Sequence, residues 1–238
     1  MIDKFVRSVA EALDGIADGS TILCAGFVVG TPNVLLDGLV EQGARDLTIV
    51  ANVIGGGREG ISRLIELGRV RRVIVSWARI ASNIAFEPLY AAGRIELELV
   101  PQGTLAERIR AAGAGIPAFY TATSAGTALA RGKEARDFEN REHVLEHAIF
   151  GDVALVEAWR ADRWGNLTYK QSGRNFNPIV AMAAKLTIAQ TEHVCQIGDI
   201  DPEQVHTPGI FVHRVVHAPY GGDPRTEEAR LEERSARR

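Results

Sequence analysis

The chain has 238 residues, 46% apolar and 24% charged, with a formal net charge of −3. That length suits one α/β core, the balance is ordinary for a globular protein, and a mildly acidic chain carries no basic footprint for nucleic acid. No apolar run approaches the ~18 residues a membrane helix needs. The amphipathic start MIDKFVRSVAEALDGI is too interrupted by charge for a signal segment. Cys24 and Cys195 form no CxxC pair, which fits reduced thiols and a cytoplasmic location. The six histidines lack metal-ligand spacing, so no metal site is expected.

In chain order, Phe5, Val9, Leu13 and Ile16 predict a first helix ending near Gly19. Thr21 to Ala25 reads as a short apolar strand running into a turn from Gly26 to Gly30. Pro32 then opens a helix with the apolar stripe Leu35, Leu36, Leu39 and Val40. Leu47 to Ala51 is a second strand, followed by Asn52 and the Gly55-Gly56-Gly57 loop. Ile61, Leu64, Ile65 and Leu67 predict a helix, and Arg72 to Ser76 another strand. Glu96 to Val100 alternates toward a buried strand that Pro101 stops. Gln102-Gly103-Thr104 reads as a polar turn before a helix marked by Leu105, Ile109 and Ala112. Repeated strand–helix alternation predicts an α/β fold with a mainly parallel sheet and helices on both faces. Beyond Lys133 the pattern changes to β-hairpins: Ala135–Phe138 with His143–His147, then Val153–Arg160 with Asn166–Tyr169. Residues 1–220 read as one domain. The charged tail, 221–238, reads as a peripheral helix or a disordered segment.

In open α/β sheets ligands bind beyond the carboxyl ends of strands, and three groups stand there. The turn Gly26-Phe27-Val28-Val29-Gly30-Thr31-Pro32 can bring bare backbone close to a phosphate or an oxyanion, or can simply be a turn. Asn52 can donate to a thioester carbonyl or stabilise a turn, and Gln102 can touch a ligand or only cap its helix. Arg174-Asn175-Phe176-Asn177-Pro178 can grip a carboxylate, position the following helix, Ile179–Ala184, or meet a partner protein chain. Trp159 and Trp164 read as packing residues, and Arg58 as a solvated loop arginine.

The run PQGTLAERIRAAGAGIPAFYT, Pro101 to Thr121, resembles the corresponding segment of the first, A-type, subunit of family I CoA-transferases of the 3-oxoacid type, acting on succinyl-CoA with acetoacetate or 3-oxoadipate. The likeness extends from about Asp18 to Val216 and is also carried by Leu155 to Lys185 and His206 to Val216. It implies the transferase fold, shared with sugar-phosphate isomerases, and a CoA thioester as substrate without a permanently bound cofactor. It also implies Asn52 and Gln102 as thioester-positioning donors, with Ala25, Gly26, Phe27, Val28, Val29, Gly30 and Pro32 on the CoA side of the site.

The chain departs from the family pattern at two places. The family has a glycine pair before the phenylalanine and three residues between it and the next glycine; here Ala25 replaces the first glycine and only Val28 and Val29 intervene. The family also has two consecutive asparagines where this chain has Asn52-Val53. Transfer in the family runs through a glutamate of the second, B-type, subunit, in a Glu-Asn-Gly segment. Glu139-Asn140-Arg141 matches it only in letters and reads as a surface turn; Glu59 and Glu87 are the other conceivable carboxylates. The resemblance therefore implies half of an enzyme, partnered by a homologous B-type subunit in an α2β2 heterotetramer. A CoA-thioester hydrolase on the same scaffold and a sugar-phosphate isomerase or regulator are the alternatives.

Overall fold

The computed structural model describes residues 2–80 and 82–219. The tail at 221–238 lies outside the described residues. In chain order the elements are α1 (Val9–Ala12), β1 (Thr21–Cys24), α2 (Asn33–Gln42), β2 (Leu47–Val53), α3 (Gly60–Glu66), β3 (Val70–Trp77), α4 (Phe86–Ala91), β4 (Glu96–Leu99) and α5 (Gln102–Gly113). There follow β5 (Ala118–Thr121), β6 (Ala135–Phe138), β7 (Arg141–His147), β8 (Gly151–Asp162), β9 (Leu167–Thr168), α6 (Asn177–Ala181), β10 (Ala184–Cys195) and β11 (Arg214–His217).

The main sheet has the order β11-β10-β8-β1-β2-β3-β4, all parallel, with β9 antiparallel on β8. Side chains alternate across a strand, and this sorts the core into two clusters. Ile22, Cys24, Ile49, Ala51, Val73 and Val75 pack with Leu35, Leu36 and Leu39 of α2 and with Leu64 of α3. Leu23, Val50 and Ile74 pack on the other face with Leu105 and Ile109 of α5 and with Val180 of α6. The expected fold class is present, and a second sheet, β5-β7-β6, is antiparallel.

The sequence reading did not anticipate α4, β5, β10 and β11, and four of the elements it did expect are placed differently. The first helix is confined to Val9–Ala12, because the Ser8 side chain caps it and Gly15 turns left-handed at φ 85°. Phe5 instead bridges to Val215 beside β11. The strand at Glu96–Leu99 is an edge strand, so its alternation leaves both faces partly exposed. Gln102 is the first residue of α5 rather than part of a turn. The helix after Arg174 starts at Asn177, with Pro178 in the first turn where its missing N–H leaves no bond unmade, and ends before Ala184, which joins β10.

Helix α5 is fixed by a buried charge. Arg108, 8% exposed, pairs with Glu98 of β4 and stands 3.7 Å from Glu146 of β7, while its Nε donates to the His147 carbonyl at 2.6 Å. One guanidinium thus joins the edge strand, the helix and the small sheet. Burial alone would raise the Glu98 carboxyl, but Arg108 and Arg72 outweigh it and hold the pKa below 4.5. A depressed carboxylate pKa contributes stability above the unfolded value, lost as pH falls through the lower folded value. Arg108→Met should lower the unfolding free energy by about 3–5 kcal/mol, because it strands buried carboxylates. Glu98→Gln should flatten the fall in stability below about pH 4.5 in denaturant titrations; an unchanged acid limb would contradict this account.

Candidate functional site

The glycine turn leaves β1 with Ala25 N still bonded to Leu155 O at 3.0 Å. Gly26 (φ 99°) and Gly30 (φ 73°) are both left-handed, and a Cβ on them would collide with Thr31 and with the Gly173 carbonyl respectively. Between them Phe27 and Val29 exchange two backbone hydrogen bonds, 3.1 and 2.8 Å, around Val28. Val28 is forced to φ 67°, a costly conformation for a β-branched residue. The three apolar side chains stand out from the surface, Val28 being 67% exposed.

The Arg174–Pro178 segment clamps this turn. Asn175 Nδ2 donates to Val29 O at 2.8 Å, and Asn177 Nδ2 donates to Gly30 O at 2.9 Å and to Gly173 O at 2.8 Å. Asn177 is fully buried, and its Oδ1 accepts from Glu157 N at 2.8 Å. Pro32 is buried and precedes α2, so its part is to start that helix. Two donors of the first turn of α2 are already taken, Asn33 N by Thr31 O and Leu35 N by Gln190 Oε1, which limits its use as an anion site.

A cleft of about 300 Å³ separates the turn from the loop after β2. Ala25, Gly26 and Val28 line one side, and Val53, Gly56 and Glu59 are among the residues of the other. Phe27, Val29, Gly30 and Pro32 do not line it. Ala51 and Val53 look into the cleft, so Asn52 between them faces the opposite side of the sheet, toward α5.

There Asn52 meets Gln102. Gln102 Nε2 donates to Asn52 Oδ1 at 2.9 Å, joining two residues fifty positions apart. Ser76 Oγ lies 2.6 Å from the same oxygen and 2.9 Å from the Asn52 carbonyl. Asn52 is 1% exposed, and its Nδ2 is buried with no acceptor. Such an orphan costs roughly 1–3 kcal/mol and in a native fold calls for an explanation. Gln102 itself is exposed. The sequence brought Asn52 and Gln102 to attention separately, and Ser76 only as a strand end. Its signal was the parallel register, which sets Ala51 opposite Val75 and Val53 opposite Trp77, hence Asn52 beside Ser76.

The other candidates are accounted for locally. Glu139 and Asn140 form the tip of the β6–β7 hairpin at φ 49° and 60°, so this Glu-Asn-Arg is an exposed turn. Glu87 pairs with Arg79 at 3.1 Å, and Arg58 stands 3.7 Å from Glu66. Trp159 packs edge-on against His193, with the Lys170 ammonium over its ring. Trp164 sits half-exposed in the β8–β9 turn, its backbone N–H donating to Asp162 Oδ1. Burial pushes the Cys24 thiol up to about 12, which removes it as a nucleophile. Among the described residues no cluster of three His, Cys, Asp or Glu could hold a metal ion. No helix of the described residues is long and apolar enough to cross a membrane.

The turn's geometry sets a contrast. Gly30→Ala should cost about 2 kcal/mol or more, since a Cβ there meets both left-handed strain and a backbone carbonyl. Val28→Gly should stay within about 1 kcal/mol of the parent, because relief of strain offsets the added freedom of the unfolded chain. Equal losses in thermal unfolding would contradict the clamp.

The chain matches the family model described as Coenzyme A transferase over residues 6–218. It is 54% identical over 217 residues to the A-type subunit of 3-oxoadipate CoA-transferase from Pseudomonas putida, covering 91% of this chain and 94% of that one. It is 46% identical over 233 residues to the probable A-type subunit of succinyl-CoA:3-ketoacid coenzyme A transferase from Bacillus subtilis, covering 98% and 94%. Among solved structures, the acyl-CoA transferase YdiF apoenzyme from Escherichia coli O157:H7 superposes with a TM-score of 0.83 at 23% identity, over 93% of this chain and 49% of that one. Glutaconate coenzyme A-transferase from Acidaminococcus fermentans gives 0.81 at 24% identity, over 93% and 77%. The two structures share the fold, and the two relatives carry transferase names rather than those of isomerases or hydrolases. The chain belongs to the coenzyme A transferase family, as a counterpart of its A-type subunits.

Proposed function

We propose that this chain is the non-nucleophile half of a 3-oxoacid CoA-transferase. It moves CoA between an acyl-CoA, succinyl-CoA in the first instance, and a 3-oxo acid. It works in the cytoplasm as a single domain over residues 1–220, two copies joining two of a homologous B-type subunit. The observation that carries the site assignment is the buried, unsatisfied Nδ2 of Asn52, whose amide is held at Oδ1 by Ser76 and Gln102. The names of the relatives support the substrate class.

In this reading a glutamate of the B-type partner attacks the acyl-CoA thioester carbonyl. The carbon–sulfur bond breaks, leaving a mixed acyl–glutamyl anhydride and CoA thiolate. The thiolate then opens the anhydride at the glutamyl carbonyl, releasing the first acid and leaving a glutamyl-CoA thioester. The incoming acid repeats both steps in reverse. Each step passes through a tetrahedral oxyanion, and a fixed amide donor stabilises that charge where water is excluded. Asn52 Nδ2 and the remaining Nε2–H of Gln102 serve as these donors. The glycine turn, with Ala25, Gly26 and Val28 on the cleft wall, borders the CoA side. Phe27 and Val29, exposed on the turn, face the B-type partner, and Gly30 and Pro32 hold the turn's shape. No permanently bound cofactor is needed, since CoA arrives and leaves as substrate.

Purified alone, the chain should transfer no CoA between succinyl-CoA and acetoacetate or 3-oxoadipate; with its B-type partner it should. In that complex Asn52→Ala should lower kcat by about 10²–10³-fold, the usual effect of deleting one oxyanion donor. Turnover by the isolated chain, or an Asn52→Ala complex as fast as the parent, would refute the assignment.

A further inference from the structure

We infer that Ser76 is a positioning residue for the transfer reaction, acting through Asn52; this rests on the reading that the Asn52 amide is an oxyanion donor. An asparagine amide has two ends of nearly equal shape, one donating and one accepting. Only one orientation offers N–H groups to an oxyanion. The other offers a lone pair, which repels it. Something must therefore choose the orientation, and the choice is made at the end facing away from the unpartnered Nδ2.

Two groups meet that end. Gln102 Nε2 reaches Asn52 Oδ1 at 2.9 Å, but a glutamine can turn its own amide over and so accommodates either orientation of its neighbour. Gln102 is also exposed at the start of α5. Ser76 belongs to β3, inside the sheet, and its Oγ is 2.6 Å from Asn52 Oδ1. The parallel register of β2 and β3 sets the two residues side by side on one face, so this contact is built into the sheet. The hydroxyl has one proton and two acceptors in reach, Asn52 Oδ1 at 2.6 Å and the Asn52 main-chain carbonyl at 2.9 Å, and it could also accept from a turned amide. The length decides: 2.6 Å suits O–H···O and is too short for N–H···O, so the proton goes to Oδ1, which accepts two bonds and leaves both N–H groups of Nδ2 for the reacting carbonyl.

Removing the hydroxyl leaves Gln102 as the sole partner, and the Asn52 amide then populates both orientations. The fraction with oxygen facing the oxyanion is inactive in chemistry, yet the thioester's other contacts are untouched. The signature is a fall in kcat with KM nearly constant, the mark of an interaction made in the transition state. A residue that merely supports the fold would instead lower thermal stability and change both constants without a pattern.

The experiment compares Ser76→Ala, Ser76→Thr and Asn52→Ala in the complex with the B-type partner, using succinyl-CoA and acetoacetate or 3-oxoadipate. Ser76→Ala should lose about tenfold in kcat, the worth of one hydrogen bond, with KM within about twofold. Ser76→Thr, which keeps the hydroxyl, should recover most of it. In the Asn52→Ala background, Ser76→Ala should cost nothing further, because its only route is through that amide. If Asn52→Ala is slow while Ser76→Ala matches the parent, or if the two losses multiply, the inference about Ser76 fails and the donor assignment stands. If Asn52→Ala is itself fast, the donor reading fails first. A Ser76→Ala protein that has lost folding cooperativity, with Ser76→Thr equally slow, also overturns the proposal, since the hydroxyl would then be structural.

Discussion

One oxygen atom gathers the candidate chemistry of this chain. Asn52 Oδ1 is met by a hydroxyl from the neighbouring strand and an amide from the helix that follows the edge strand. Around it, β2, β3 and α5 have to be in register for the three side chains to meet. The core does this work with ordinary means: apolar alternation sorts the strands onto two helix layers, and Arg108 ties α5 to β4 and β7. A shift of one residue in β3 would turn Ser76 to the wrong face. The sheet therefore specifies the site as strictly as it specifies the fold.

The candidate site residues lie on two faces of the same strand end. Asn52 belongs to the α5 side, whereas the cleft opens on the α2–α3 side, between Val53 and the glycine turn. Both stand at the carboxyl end of β2, where parallel sheets commonly bind ligands. The exposed Phe27-Val28-Val29 tip stands at the same edge. Its strained backbone is held by the Phe27–Val29 backbone pair and, from outside the turn, by Asn175 and Asn177.

Much of this was legible in the residues. Strand–helix alternation pointed to the parallel sheet, and hairpins form near both expected turns, the first with its tip at Glu139-Asn140 and Arg141 already in β7. The likeness of Pro101–Thr121 to CoA-transferases pointed to the family that the matched relatives bear out. Local pattern did less well where tertiary contacts decide. Phe5 lies on the same helical stripe as Val9 and Leu13 yet pairs with Val215, because Ser8 caps the helix after it. Asn177 read as part of a segment that grips a carboxylate, positions the next helix or meets a partner chain; its bond to the Gly30 carbonyl, 147 positions away, has no local sequence signal. Ser76 carried no sign at all as a single letter. It acquires meaning only once β2 and β3 are aligned.

The central claim is that the Asn52 amide bears on the acyl carbonyl. The direct measurement is the infrared stretch of a ¹³C-labelled thioester carbonyl bound to the assembled enzyme, with the nucleophilic glutamate of the B-type partner replaced to halt the reaction. The account predicts a shift to lower frequency in the parent complex that disappears in Asn52→Ala. An identical frequency in both complexes, at full occupancy, would contradict it.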